Sequence, residues 1–410
     1  MESSLKSDKT SAENRIVLID ALRGFALAGI VVTHMLENYI ASAIPMKYAE
    51  QMNPELIDQI ISGLCDFLLR GKFFALFSFL FGLSFFIQMD KASSKGQGYG
   101  GRFLWRTIIL LGIGFLHSCL YRGDILLIYA LLAIPLIPLY KASSKILWAF
   151  LVVLFLGGPR YLIFHFFKDS PLFTEEPLMP NSPASLAYIE LLQTGEAFEI
   201  FSANAWAGIL NKFEFQWGVF SRGYLTFGFF ILGLWIGRMG WLRDYIQNKK
   251  RFKRGWVIGL LLLLLSAVSA SFIFIKAGEV QQFDRWILMF GLSAVDLFNL
   301  GMAILIVSLF VLAYTTPKGE QRLAVFAPYG RMALTNYLVQ SIIGSFIYYS
   351  WGLAWVGTLP SRYSFLLALL VIGLQMAFSS WWLKRYRYGP VEWLWRSLTH
   401  FKRYPLRFNE

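Results

Sequence analysis

Apolar residues run along this chain in stretches close to 20 long, set apart by short polar joints. A bilayer crossing needs about 20 such residues, and the pattern predicts ten spans. They lie near 16–37, 66–89, 103–121, 124–140, 145–167, 219–239, 255–276, 286–314, 327–350 and 363–384. The clearest is GWVIGLLLLLLSAVSASFIFI at 255–275. The short span at 124–140 is expected to fold back on its predecessor through the YRGD turn at 121–124. The fold predicted is all-α: a polytopic membrane protein of about ten transmembrane helices, both termini cytosolic, with one long external segment.

The organisation follows from the same pattern. Residues 1–14, MESSLKSDKTSAEN, hold no apolar core of a cleaved signal and read as a flexible cytosolic tail. Residues 15–167 form an N-terminal bundle of about five spans, and 219–385 a C-terminal bundle of about five. Between them, 168–218 is an external segment: a Pro-rich stretch, DSPLFTEEPLMPNSP, then one or two helices with apolar spacing. It reads as a surface loop or as a lid over an external opening. Residues 386–410 are too polar to span. With Trp393, Leu394 and Trp395 beside Arg396, Lys402 and Arg403, they suit an interfacial tail on anionic lipid or on the phosphates of a cytosolic ligand. Gly389-Pro390 is expected to end the tenth helix.

Composition narrows the class. Of 410 residues, 56% are hydrophobic and only 15% charged, with a mean hydropathy of +0.53. A soluble globular enzyme could not bury that much apolar surface, and disorder is excluded on the same ground. The formal charge of +13 records orientation. On the predicted topology the inside segments hold 26 basic and eight acidic residues, and the outside segments 11 basic and 15 acidic. That is the positive-inside bias, so nucleic-acid binding is not needed to explain the charge. Cys65 and Cys119 are read as packed thiols, and no zinc-type spacing occurs.

Ionisable groups within spans cost about 2.5–3.5 kcal/mol each on insertion scales, so they point to pairing or to function. The first span carries Asp20, Arg23 and His34. Arg23 and His34 are eleven residues apart, which puts them on one helix face about 16 Å from each other. An i,i+3 ion pair of Asp20 with Arg23 is one reading. The other has Arg23 grip an anion while His34 does proton or acyl chemistry. His117 closes the third span and Asp124 opens the fourth, at the depth of His34 and Glu37. They suit a proton relay, or Asp124 is a helix cap. Asp296 lies in the eighth span, and Asn336 and Gln340, one turn apart, in the ninth. These suit either helix-to-helix hydrogen bonding or a ligand channel. His165 and His400 read as structural. Gly24 and Gly29 offer places for close helix approach.

Five stretches carry a family likeness. LIDALRGFALAGIVV (18–32), KFFALFSFLFGLSF (72–85), LLGIGFLHSCLYRGDILLIYAL (110–131), APYGRMALTNYLVQSII (327–343) and YGPVEWLWRSLTH (388–400) resemble the bacterial YeiB family of inner-membrane proteins. That family is distantly similar to the membrane acyltransferases that include heparan-α-glucosaminide N-acetyltransferase and acyltransferase family 3. The resemblance implies a multi-pass protein of the bacterial inner membrane. It also implies acyl-CoA, acetyl-CoA foremost, as co-substrate, with no metal, and a sugar or other small acceptor on the outer side. Arg23, ten residues and His34 match the Arg–His spacing of acyltransferase family 3, where the His is implicated in acyl transfer. The lysosomal enzyme has a His where this chain has Pro45, which leaves the role to His34. On the acyltransferase reading His34 acts as general base or carries the acyl group, His117 and Asp124 orient it or relay protons, and Arg23 with the loop residues Arg102 and Arg106 holds the CoA phosphates. A transporter or flippase, or a membrane protein without turnover, are the other readings; the oligomeric state is left open.

Overall fold

A computed structural model describes residues 16–96, 98–170, 181–278 and 285–408. The expected tail at 1–14 and most of the Pro-rich stretch after residue 168 lie outside the described residues. Among those described there is no β-strand, only one isolated bridge between Tyr386 and Arg407. The helices in chain order are α1 Val17–Leu36, α2 Met46–Met52, α3 Leu56–Leu68, α4 Phe73–Ser93, α5 Gly100–Leu120, α6 Leu126–Ala133 and α7 Leu136–Leu139. Next come α8 Ser144–Phe155, α9 Gly158–Phe167, α10 Pro183–Thr194, α11 Ala197–Ala205, α12 Ala207–Trp217 and α13 Arg222–Arg238. The last are α14 Lys249–Ala277, α15 Trp286–Tyr314, α16 Pro317–Leu323, α17 Ala327–Arg331, α18 Ala333–Tyr348, α19 Ser361–Leu383 and α20 Pro390–His400.

Every span predicted from the sequence is occupied by helix, but not every one by a single long helix. Six helical stretches are long and apolar enough to cross a membrane, or eight if each of two bent pairs counts as one span. The bends lie between α8 and α9, at 54°, and between the α11–α12 stretch and α13, at 68°. The stretch at 124–140 breaks around Pro135, and that at 327–350 breaks at Met332. Proline removes an amide from the helical ladder, which accounts for the first break. A second difference concerns Gly389-Pro390. The α19 helix ends at Leu383, and Pro390 opens α20 instead of closing a helix. Its missing amide costs nothing at a first helical turn.

Burial separates central from peripheral helices. The apolar stretch of α1 is mostly buried within the protein, whereas that of α14 is mostly exposed. The α1 helix is therefore the axis of the bundle, and its polar side chains face protein. The α14 helix turns Leu261, Leu264, Leu265, Val268 and Phe272 outward, as a lipid-facing surface requires. Two backbone-to-backbone approaches tie the halves of the chain. A Cβ on Gly82 would meet the Phe230 carbonyl and one on Gly233 the Phe79 carbonyl, which seats α13 on α4. Likewise Gly24 faces Phe326 and Gly330 faces Asp20, which seats α17 on α1. Small residues let membrane helices approach this closely, where dispersion and polar contacts act without a hydrophobic drive. Gly24 thus sits in the close approach its sequence context suggests, and Gly29 faces the Phe73 ring.

Residues 181–217, expected from the sequence to be part of an external segment, form α10, α11 and α12. Ile189, Leu192 and Ile200 are buried, as are Tyr188 and Asn204. Asn204 accepts from the Tyr188 hydroxyl and donates to the Cys119 carbonyl at the end of α5. Gln193 donates to the Val356 carbonyl beyond α18. These helices are packed over the ends of α5 and α18.

Candidate functional site

The residues from Asp20 to Asp296 that the sequence singles out divide among separate places. At the end of the bundle away from Arg102 and Arg106, His117 Nδ1 lies 2.7 Å from Asp124 Oδ1, and neither side chain is exposed. Asp124 also caps a helix, as one reading of the sequence has it: its carboxylate accepts the amides of Leu126 and Leu127 at the start of α6. Those first-turn amides have no helical partner of their own. The other carboxylate oxygen accepts from Ser118 Oγ at 3.4 Å. Lys212, on α12, donates to Ser118 Oγ at 2.9 Å and stands 3.7 Å from Asp124 Oδ2. An ionised Asp124 is acceptor-only, so the proton of the His117 pair sits on Nδ1. That leaves Nε2 as a base, and it is buried without a hydrogen-bond partner.

His34 comes close to this pair across two tyrosines. The His34 ring is 4.9 Å from Tyr121 and the His117 ring 4.9 Å from Tyr337. Each tyrosine also lies 6.4 Å from the other imidazole. His34 Nδ1 and both amide atoms of Gln340 are buried with no hydrogen-bond partner. Buried polar atoms are nearly always bonded, and each one left bare costs about 1–3 kcal/mol. Several bare groups around one aromatic cluster mark a place where something polar belongs.

The turn after α1 is built for this place. Tyr39 is fully buried at φ +56°, a left-handed conformation that bulky residues avoid. Its hydroxyl donates to the Gln340 carbonyl and its own carbonyl accepts from Tyr349. Asn38, also left-handed, is held by Met35, Ser364 and Gly357. Such strain costs about 1–3 kcal/mol per residue, and here it sets the Tyr39 ring 5.5 Å from His34.

Other singled-out residues lie elsewhere. Arg23 donates to Asp20 at 2.8 Å and to Ser84 Oγ at 2.8 Å. Asn336 donates to Ser379 and to the Tyr329 carbonyl, so it joins α18 to α19, apart from Gln340 in role. Asp296 accepts from Arg160 at 2.6 Å, and Arg160 also donates to Ser293 and to the Phe220 carbonyl. Neither Arg160 nor Lys212 is among the residues singled out above. Arg160 is a cation within the predicted span 145–167, which is a signal in itself, whereas Lys212 sits beside Asn211 and Glu214 and offers none.

Arg102 and Arg106 line a cleft of about 290 Å³ at the basic end, with Lys91, Lys95, Arg396 and His400. Arg23 is not among its lining residues. Arg102 donates to His400 Nδ1 at 3.1 Å. Burial and then the charges of Arg396, Arg102 and Arg106 push the His400 imidazole down to about 4. The ring is therefore neutral near pH 7 and can accept from Arg102. His400, read as structural from its sequence neighbours, gains this company because α20 folds back on α5.

Fold and site together define a multi-pass α-helical membrane protein with a buried His–Asp pair toward one end and a basic cleft at the other. Residues 236–402 match the family described as "Protein of unknown function (DUF418)". The whole chain is similar to YxaH of Bacillus subtilis (strain 168), 28% identical with 97% of each chain covered. It is also similar to YeiB of Escherichia coli (strain K12), 27% identical with 94% of this chain and 96% of the relative covered. Both similarities run over nearly the whole chain. The family match takes in Gln340, Arg396 and His400; His34, His117 and Asp124 precede it.

Proposed function

We propose that this protein is a membrane-embedded acyltransferase. It takes an acyl group, acetyl foremost, from acyl-CoA at the basic end and gives it to a sugar or other small acceptor at the opposite end. The observation that carries this reading is the buried His117–Asp124 pair with a bare Nε2, set beside His34. A carboxylate that fixes the tautomer of an imidazole is what a general base requires. His117 Nε2 takes the proton of the acceptor hydroxyl or amine as that atom attacks the thioester carbonyl. The C–S bond then breaks, and the imidazolium returns the proton to the departing thiolate. His34 holds the acceptor in line. The Gln340 amide, with two donors unspent, stabilises the negative charge that develops on the carbonyl oxygen.

The two ends are linked by α5. From Arg106 to His117 is eleven residues, or about 16 Å along the helix, which the extended arm of a coenzyme has to cover. Arg23, one helical turn in from the cleft through Ser84 and Gln88, lies beside that route. Purified protein in nanodiscs, given acetyl-CoA with a labelled acetyl group and a glycan pool, tests the reading. Transfer that disappears in His117→Ala and His34→Ala is the expected result. A wild-type protein that leaves the label on CoA, or transfer indifferent to both substitutions, would overturn it.

A further inference from the structure

The cleft at the basic end is larger than its α5 wall. A second cavity of about 230 Å³ adjoins it, and Arg106 and Arg396 line both. The second adds Arg331 and Arg387, with Glu392 as its one acid. That acid is committed elsewhere. Its carboxylate accepts the Leu334 and Thr335 amides and the Thr335 hydroxyl at the start of α18. Capping those orphan amides at the positive end of a helix dipole absorbs its charge.

The wall opposite α5 is α20, and it is fixed in place. Trp395 donates its indole N–H to the Arg106 carbonyl, and Trp105 donates to the Leu398 carbonyl. Trp105 and Phe401 stack at 5.4 Å. The Arg106 guanidinium lies 3.5 Å over the Trp395 ring, and that of Arg396 lies 4.6 Å from the Tyr404 ring. Aromatic faces orient these cations without neutralising them. Arg396 Nε is buried with no hydrogen-bond partner. Planar forks held in this way match phosphate oxygens.

We propose that α5 and α20 together form a binding site for clustered phosphate groups, with Arg396 at its centre. A multivalent anion relieves the crowding of Arg106 and Arg396, which line both cavities. Pockets for whole ligands run to about 300–1,000 Å³. A cleft of about 290 Å³ therefore takes the phosphorylated end of a ligand and leaves the rest outside it. The shared chemistry fits a soluble phosphate ester or an anionic lipid headgroup. Calling that ester a coenzyme rests on the acyltransferase reading; the phosphate site itself does not.

The test uses the full chain in nanodiscs and measures thermal stabilisation and Kd. One arm is pure phosphatidylcholine titrated with coenzyme A and with adenosine 3′,5′-bisphosphate. The other arm adds cardiolipin and no nucleotide. Wild type, Arg396→Ala, Arg396→Lys, His34→Ala and Arg243→Ala are compared. Arg243 is a solvent-facing arginine outside the cleft, and Arg396→Lys keeps the charge should the alanine variant fail to fold. Loss of a charged hydrogen-bonding partner weakens affinity about tenfold or more, so that loss is expected for Arg396→Ala. Arg396→Lys should show a smaller loss, and His34→Ala and Arg243→Ala should bind as wild type does. An Arg396-dependent effect of the nucleotides alone supports the site and the donor's entry. An effect of cardiolipin alone supports the site and removes that entry from the acyltransferase reading. No binding in either arm, or an Arg243→Ala as weak as Arg396→Ala, overturns the proposal.

Discussion

His117 and Asp124 face each other at 2.7 Å with neither side chain exposed, and a lysine from α12 stands behind them. Lys212 reaches Ser118 at 2.9 Å and Asp124 at 3.7 Å, so the site is closed by the segment packed over it. A buried carboxylate is costly unless its charge is met by hydrogen bonds and cations. Lys212→Met removes one of these and should destabilise the fold by about 3 kcal/mol. Asp124→Asn in the same background should recover part of the loss, because neighbours in one network couple by about 0.5–3 kcal/mol. Thermal unfolding of both single variants and the double variant checks this. Additive losses would show that Lys212 acts apart from Asp124.

The helix contacts give a prediction of opposite kinds at two glycines. A Cβ at Gly233 would meet the backbone of Phe79 and, at 2.6 Å, the Leu83 amide nitrogen, whereas at Gly373 it would meet nothing within 4 Å. Gly233→Ala should cost about 1–3 kcal/mol through overpacking. Gly373→Ala should be neutral or gain up to about 1 kcal/mol of helix propensity. Thermal melts in one detergent suffice, and equal shifts for the two would contradict the close seating of α13 on α4.

His400 makes the clamp of α20 on α5 sensitive to acid. Its imidazole titrates at about 4 in the fold against an ordinary 6.5. The unfolded chain therefore binds the proton first, and stability falls as pH drops from 6.5 toward 4. His400→Gln removes this contribution, so its melting temperature should decline less than that of wild type across that window. A wild-type curve parallel to that of His400→Gln would show that the ring is not held neutral by its neighbours.

Much of this fold is legible in the chain because the bilayer demands long apolar helices. Each of the ten apolar stretches holds helix, though only six to eight helical stretches are long and apolar enough to cross a membrane, and α1 with Asp20, Arg23 and His34 faces protein as its spacing implies. The pairing of Asp20 with Arg23, and of His117 with Asp124, is local, and periodicity reaches it. What lies beyond it is distant in sequence. Arg160 meets Asp296 across 136 positions, and Lys212 meets Ser118 across 94. Both contacts depend on how helices pack, which a hydrophobic period does not encode. Tyr39 is another case: nothing in ENYIAS marks a left-handed tyrosine, because the hydrogen bonds that hold it come from α18 and the turn beyond it. The break at Met332 and the return of α20 onto α5 are likewise tertiary.

The most direct measurement is single-turnover acetyl transfer from acetyl-CoA by wild type and by Asp124→Asn, each shown to bind coenzyme A. General acid–base assistance is worth about 10²–10⁴ in rate. Wild type should transfer the acetyl group, and Asp124→Asn should bind the coenzyme yet transfer it slower by about that factor. An Asp124→Asn protein that transfers at the wild-type rate, or a wild type that binds acetyl-CoA and never transfers the acetyl group, would contradict the role of the His117–Asp124 pair.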